Sequence, residues 1–501
     1  MTLMKRHKNL IIYRLALALT ILGVNSHWET VNGQRTVRLD LERTISLATD
    51  SSLNAQKYQS VYDASLFNYL SWQASRKVQI SLQSTPIQYE RYLTQRYLSE
   101  ENIDIYREQQ MLYSQAGIHA EQPIEALGGS LYGSTQLGYL RTFGDATDTQ
   151  FMTVPVSIGY KQDLLGFNAL KWNKRLEPLK LVLAEKQLTY DTESASLEAV
   201  EKFFNLALAQ DQLIMSEEYL ASCDTIYAIA ERRYRIASIS KAELSTLELE
   251  KINARNTLAN ARINSKRAMR DLASYLGFDL DTQIELVIPT SLNNMQISAQ
   301  DAVEHARENN PMYLTAQQQT LEARRDADRA RVEKNLDLKL DASIGLNQVA
   351  EDFGDAYRRP RMQNMATVTL SIPIKDWGKR KNAYLAAKSG VNAAEKSEME
   401  AARVTELDVV TSVGEFNERQ TIVETSRQAL TIAENAYTAT LQRFIRAQAD
   451  VNDLSLAQSR WQTSRQNQIT SLQNYWLSYY HLRQLTLYDY MRHEVIRHKR
   501  Q

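Results

Sequence analysis

Cysteine is all but missing from this chain of 501 residues. Cys223 stands alone, which excludes an internal disulfide and any metal site built on several thiolates. In a helical pattern, it reads as a small packed side chain. Proline and glycine are scarce, at 8 and 16 residues, so the chain is free to run in long uninterrupted helices. Charge of either sign is balanced, 59 Lys and Arg against 59 Asp and Glu. No net field draws the chain toward nucleic acid or an anionic membrane surface. Beyond residue 33 no apolar run reaches the ~18 residues of a transmembrane helix. A chain of this kind can enter a membrane only as a β-barrel.

Catalytic signatures are missing as well. The sequence has no Gly-rich phosphate loop, no HExxH and no GxSxG. Of its 7 histidines, His7 and His27 fall near the start, and His481, His493 and His498 are spaced too widely for a paired ligand face. The chain therefore reads as neither an enzyme nor a cofactor or metal protein. The basic tail RHEVIRHKRQ reads as a solvated end rather than a nucleic-acid patch.

What is present begins with a leader. Lys5, Arg6, Lys8 and Arg14 surround the approach to LALALTILGV, an apolar run too short to span a membrane as a lasting helix. It fits the h-region of a secretory signal peptide over residues 1–33. Val31 and Gly33 are small enough to precede a cleavage site, with Gln34 the new N-terminus. No cysteine follows the apolar run, which argues against a lipid anchor. The mature chain is expected to be exported.

The rest reads as one unit written twice, over residues 34–291 and 292–501. RRYRIASISKAELSTLELEKINARNTLA and QRFIRAQADVNDLSLAQSRWQTSRQNQI share a grammar: Arg233 matches Arg443, Tyr234 matches Phe444, Ala237 matches Ala447 and Leu244 matches Leu454. Each half runs helix, strand, strand, long helix, turn, helix. Strands are expected near 78–88 and 152–162 in the first half, and near 337–347 and 366–375 in the second. They alternate strictly: Val368, Leu370, Ile372 and Ile374 against Thr367, Thr369 and Ser371; Val78, Ile80 and Leu82 against Gln79, Ser81 and Gln83. One apolar face and one polar face suit a lipid-facing barrel with a wet lumen, and equally a soluble sheet with one face on a core. The export signal and the shortage of strands for a sandwich favour the barrel. Between the first pair of strands lies an insertion, about 90–148, with a Gly-Gly turn and with Tyr132 and Tyr139 as interface anchors. Extra β-structure near an extracellular mouth is expected there.

The long helices, from about Leu170 to Arg233 and from Lys379 to Arg443, are rods of ~100 Å. The returning helices carry a heptad. Leu244, Leu247, Lys251, Ala254, Leu258, Ala261, Ser265, Ala268 and Leu272 recur at steps of three and four. So do Leu454, Ala457, Trp461, Ser464, Gln468, Ser471, Tyr475, Ser478 and Leu482. A soluble coiled-coil rod would share this seam but leaves the strands before each long helix unexplained.

At SIPIKDWGKRKNAYLAAKSGVNAAEK the sequence resembles the TolC-like outer-membrane efflux ducts. In that family a strand ends in an apolar-Pro-apolar segment, then an aromatic and Gly turn, then a basic helix start; here these are Ile372, Pro373, Ile374, Trp377, Gly378, Lys379 and Arg380. Gly166, Phe167, Asn168 and Trp172 in the first half look like a Bacteroidetes-type branch. HARENNP, from His305 to Pro311, resembles the family's Ala-x-x-x-Asn-Pro break. The resemblance covers nearly the whole mature chain and lies in the ordered, duplicated set rather than in one motif.

The resemblance implies a mainly α fold with a transmembrane β-barrel: a long α-helical barrel across the periplasm joined to a trimeric β-barrel of about twelve strands in the outer membrane. It implies a homotrimer and two partners, a periplasmic adaptor (membrane fusion protein) and an inner-membrane pump. The cargo is expected to be small molecules. An exit duct for type I protein or peptide secretion would look the same in sequence, and an exported coiled-coil scaffold without a channel is the reading from a different class. The two hairpin turns become periplasmic tips. Ser240 and Glu243 form a capping box, and Asp450 and Asp453 stand at the matching places. The family usually carries Gly where Ala237 and Ala447 stand, which counts against a left-handed turn here. Ala237, Ser238, Ser240, Glu243, Ala447 and Gln448 are the expected adaptor contacts. Phe444, Asp450 and Asp453 are the expected gate, with Ala449 and Leu456 where a basic residue and a second acid are often found.

Overall fold

The computed structural model describes residues 30–31, 34–98, 103–143, 148–289, 295–446 and 448–497. The expected leader, apart from Thr30 and Val31, lies outside the described residues, and so does Ala447.

The described chain opens with two strands, β1 (Thr30–Val31) and β2 (Gln34–Asp40), and two helices, α1 (Leu41–Asp50) and α2 (Leu53–Ser75). The helix starts are set by side chains that accept orphan amides: Asp40 Oδ1 accepts from Arg43 N–H at 2.7 Å and Ser52 Oγ from Ala55 N–H at 3.1 Å. Four strands follow: β3 (Gln79–Leu98), β4 (Ile103–Ile124), β5 (Gly129–Phe143) and β6 (Asp148–Asp163). Then come the rod α3 (Ala169–Arg235) and its return α4 (Lys241–Leu276). β7 (Gln283–Val287) pairs in parallel with β2. The second half contains α5 (Ala299–Asn309), α6 (Pro311–Glu333), β8 (Asp337–Ala350), β9 (Arg361–Ser371), the rod α7 (Lys379–Ile445) and its return α8 (Val451–Thr486). A short hairpin of β10 (Tyr488–Asp489) and β11 (Glu494–Val495) follows.

Both rods are 67 residues and both returns 36 residues, so each rod spans ~100 Å. Packing is side by side. α3 touches α2 and α4 on one flank and α6 and α8 on the other; α6 and α8 in turn touch α7. Four columns result: α2 with α4, then α3, then α6 with α8, then α7. The heptad positions are the seam. Leu247, Ala254, Leu258, Ala261, Ser265 and Leu272 are buried, and so are Leu454, Ser471, Tyr475 and Leu482. Small members such as Ala254 and Ser265 let the rods approach closely.

The break between α5 and α6 has a clear local cause. Asn310 accepts from Met312 N–H at 2.9 Å and donates through Nδ2 to the Leu485 carbonyl at 2.8 Å. Pro311 occupies the first helical position, where a missing N–H costs nothing. The linker before α5 lies along α7, held by Asn417, which accepts from Ile297 N–H at 3.1 Å and donates to the Ile297 carbonyl at 3.0 Å.

The sheet departs from the expected arrangement. Among the described residues it has six strands in the order β3-β4-β5-β6-β8-β9, all antiparallel neighbours. The segment about 90–148 is not a loop set apart from the strands: it completes β3 and supplies β4 and β5 within the same sheet. β9 ends at Ser371, four residues short of the expected 375. Pro373 has no N–H to give the ladder, and Asp376 begins the helix turn by accepting from Gly378 N–H at 2.9 Å and Arg380 N–H at 3.1 Å.

Candidate functional site: a two-faced sheet and two hairpin tips

Register assigns every sheet side chain to a face. One face carries Ile80 and Leu82 of β3, Ile118 of β4, Leu131 of β5, Ile158 of β6, Leu340 and Ile344 of β8, and Val368 and Leu370 of β9. Most of these are exposed in the single chain. The opposite face is polar and internally bonded. Lys161 Nζ lies 2.8 Å from Glu121 Oε1, and His119 lies on the other Glu121 oxygen at 3.6 Å. Tyr132 donates its hydroxyl to Asp341 at 2.7 Å, and Tyr113 to Gln115 at 2.8 Å. Gly159 belongs to this face because a Cβ there would come within 2.3 Å of the Tyr132 ring. The split holds in the part of each strand nearer the rods; farther out, past the irregularities of β6, Met152, Val154 and Val349 lie on the polar side. β4 and β5 therefore have the same two sides as the strands that the alternation identified.

The apolar face has an end. Past Tyr89 it turns charged, where Arg91 pairs with Glu108 across β3 and β4. At that end the segment between β8 and β9 folds back on the sheet, and Tyr139, Phe151, Phe353 and Tyr357 form a chain of rings with centroids 5.4 to 5.7 Å apart. At the opposite rim Trp377 is 84% exposed, with Lys375 Nζ 3.9 Å over its ring. Apolar band, aromatic borders and charge beyond them match the layers of a bilayer met from inside out.

At the far end of the rods the two turns share a backbone. Ser238 N–H donates to the Arg233 carbonyl at 2.9 Å and Gln448 N–H to the Arg443 carbonyl at 2.8 Å, the six-to-one bond of a Schellman motif. Ala237 takes φ 54°, so alanine does adopt the left-handed geometry. This corrects the expectation from the missing glycine: the Ser238 bond and a second from Ala237 N–H to the Tyr234 carbonyl at 2.9 Å hold the residue there against a cost of ~1–2 kcal/mol. Ser240 and Glu243 form the full capping box, with Glu243 N–H to Ser240 Oγ at 3.2 Å and Ser240 N–H to Glu243 Oε2 at 2.7 Å. The bond from the Ser240 backbone holds the Glu243 carboxyl below its ordinary pKa. Asp450 caps α8 by accepting from Asp453 N–H at 2.8 Å.

The expected gate residues differ in exposure. Asp450 and Asp453 are exposed at the start of α8. Phe444 is not: it is 3% exposed and packs with Ile226, Ala230, Leu247 and Leu454. A ring sealed between two hairpins of one chain has no surface to offer a lumen, so Phe444 is a packing residue. Ala449 packs against the same cluster, and Leu456 is exposed. Of the expected contact residues, Ala237, Ser238, Ser240, Glu243 and Gln448 are all exposed.

Sequence reasoning missed two features. Arg233 stacks on Phe444 at 5.3 Å and donates to the Phe444 carbonyl at 3.1 Å, closing the end of α7 from the other hairpin. Its match with Arg443 was the available signal. Higher up, partly buried Arg483 of α8 bonds both oxygens of buried Glu193 of α3, at 3.0 and 3.1 Å, and reaches Asp489 at 3.0 Å. Tyr479 also donates to Asp489, at 2.7 Å. No periodicity announces such a cluster. Cys223 is buried, and burial pushes its thiol up to about 11. Among the described residues no group of three His, Cys, Asp or Glu could hold a metal, and no helix is long and apolar enough to cross a membrane.

Comparison with known proteins agrees with this geometry. Residues 302–486 match the family model "Outer membrane efflux protein". No curated protein sequence matches the chain. Among solved structures, the Campylobacter jejuni CmeC outer membrane channel is similar with a TM-score of 0.65 at 12% identity, over 89% of this chain and 85% of that one. A membrane protein from Pseudomonas aeruginosa gives 0.64 at 13% identity, over 89% and 90%. CusC gives 0.63 at 14% identity, over 89% and 91%. The family's domain lies in the second half of the chain, over residues 302–486, and the fold of these outer membrane channels runs along most of its length.

Proposed function

We propose that the chain is the outer-membrane exit duct of a tripartite efflux system. A homotrimer passes small molecules across the periplasm and the outer membrane, working with a periplasmic adaptor and an inner-membrane pump. The observation that carries this reading is the two-faced sheet set end-on to ~100 Å rods. An apolar face bordered by aromatics suits lipid, and a face lined by Lys161, Glu121, Tyr132 and Asp341 suits water. A coiled-coil scaffold without a channel has no use for either. Six strands are too few to close a barrel alone, since the smallest such barrels need about eight, so several copies must combine.

The two tips then face the periplasm. Exposed Ala237, Ser238, Ser240, Glu243 and Gln448, together with Ala447, form the adaptor contact. Asp450 and Asp453 converge about the axis and give the narrow end a cation-attracting ring. The test is reconstitution of purified protein in planar bilayers. A duct requires detergent for extraction and gives discrete, cation-selective conductance steps. A protein that is soluble without detergent and leaves the bilayer silent would end this reading. Substrate class is checked in cells, where deleting the gene raises sensitivity to small toxic compounds if they are the cargo, and abolishes release of a peptide or protein if the duct serves secretion.

A further inference from the structure

Among the described residues the sheet has two unpaired edges, β3 and β9. Each continues into a helical edge. β3 follows α2, which exposes Leu53, Val61 and Phe67, and β9 leads into α7, which exposes Val404, Leu407 and Ile432. One flank of the molecule is thus α2, α4 and β3; the other is α7 and β9. Both are unsatisfied along their length, in backbone hydrogen bonds at the sheet and in apolar side chains at the rods. A strand edge in hydrocarbon has no water to pair with, so it must meet another strand.

The register says how the edges meet. The hydrogen-bonded line that starts at Gln79, the first residue of β3, passes through Glu121, Tyr132, Gly159 and Ser343 to Met365 of β9. β9 runs on from Met365 to Ser371, six residues further, before it leaves the sheet. The rim therefore climbs by one residue per strand. With a rise of ~3.3 Å per residue and a spacing of ~4.8 Å between strands, that stagger tilts the strands by ~35°. Closed barrels tilt by about this much. Had the sheet been built as a flat cap, no such stagger would be needed.

We infer that β3 of one copy pairs antiparallel with β9 of the next, Gln79 opposite Ser371. Resting on the trimeric duct proposed above, this closes a barrel of ~18 strands rather than about twelve. Direction agrees, because β3 runs away from the rods and β9 runs back toward them. The faces agree too. Ile80 meets Leu370 and Leu82 meets Val368 on the apolar side; Ser81 meets Thr369 and Gln83 meets Thr367 on the polar side. A register shifted by one residue would set every apolar residue of one edge against a polar residue of the other. The hairpin β4–β5 is thus a piece of the wall, and the barrel is ~1.5 times as wide as one lacking it, since diameter grows with strand number.

The test uses the full-length chain with Cys223→Ala, which removes its one thiol. Ser81→Cys with Thr369→Cys is oxidised in membranes and run in SDS after boiling without reductant. Covalent dimers and closed trimers are expected, with little monomer left. Ser81→Cys with Gln363→Cys, which probes closure without the stagger, should give monomer only. Cross-linking of the second pair instead of the first, no cross-linking of either in a protein still extracted from membranes as a heat-sensitive trimer, or a covalent ring that stops at two copies would each overturn the inference while leaving the duct. If the protein proves soluble without detergent, the duct reading itself fails.

Discussion

Arg233 and Arg443 hold matching places in the two hairpin turns and do different work. Arg443 braces its own turn, donating to the Gln448 carbonyl at 3.2 Å, whereas Arg233 crosses to the other hairpin and covers Phe444. Their neighbours divide in the same way: Tyr234 is 41% exposed and Phe444 3% exposed. The backbone of the turn is common to both tips, and the side chains are shared out so that one tip supplies the core and the other the cover. The sheet divides similarly. The first half gives four strands and the second half two, yet both halves keep rods of 67 residues and returns of 36. Rod length is constrained because both tips must reach the same level. Strand number is free provided that strands are added in pairs.

The sharpest way to break the comparison of the tips is to truncate both aromatics. Phe444→Ala leaves a cavity among Ile226, Ala230, Leu247 and Leu454 and should cost ~3–5 kcal/mol. Tyr234→Ala should stay within ~0.5 kcal/mol. Denaturant unfolding of the purified protein reads both, and equal losses would mean that the tips are not divided in this way. The two sheet contributions are compared next. Leu131→Arg on β5 and Ile344→Arg on β8 both put a charge on the apolar face and should each cost ~2–4 kcal/mol in the membrane-inserted state. If only Ile344→Arg matters, the hairpin β4–β5 is not wall.

Much of this was open to reading in the sequence because it is periodic. The heptad marked most of the buried seam of α4, and in α8 it marked Leu454, Ser471, Tyr475 and Leu482 while missing the buried residues beside them such as Ile469, Leu472 and Tyr479; the alternation in β8 and β9 identified the two faces. Asn310-Pro311 marked the break between α5 and α6. β4 and β5 were harder to place because their alternation is diluted by small and polar residues on the apolar side, such as Ala116, Ala120, Gly133 and Ser114. Only the pairing register shows that these share a face with Ile118 and Leu131. The burial of Phe444 was not legible because a buried ring and a lumen-facing ring look alike at a helix end. What separates them is the neighbouring hairpin, which the sequence does not juxtapose. The Glu193–Arg483–Asp489 cluster has no local signal at all.

Two smaller effects sharpen the tips further. Ala237→Gly should relieve the left-handed strain and stabilise the first hairpin by ~1 kcal/mol, seen as a higher unfolding midpoint. Ser240→Ala should cost ~1 kcal/mol by removing one half of the capping box. Its other half is acid-sensitive. The Glu243 carboxyl is depressed by the Ser240 backbone bond, so its contribution is present above the unfolded carboxylate pKa and is lost as pH falls through the folded value. The protection of the Ser240 amide, read from its exchange rate against that of a free amide at the same pH, should fall on acidification in the wild type, and unchanged protection would contradict this.

The central claim, that the sheet has a wet inner face and a lipid outer face, is tested most directly by single cysteines in the Cys223→Ala protein reconstituted in vesicles. Ser157→Cys and Ser343→Cys should react with a water-soluble maleimide, and Ile158→Cys and Ile344→Cys should not, while a fluorophore attached to the latter pair before reconstitution should be quenched by lipid-borne quenchers. Equal aqueous labelling of all four positions would contradict the account, because it would mean that neither face meets a membrane.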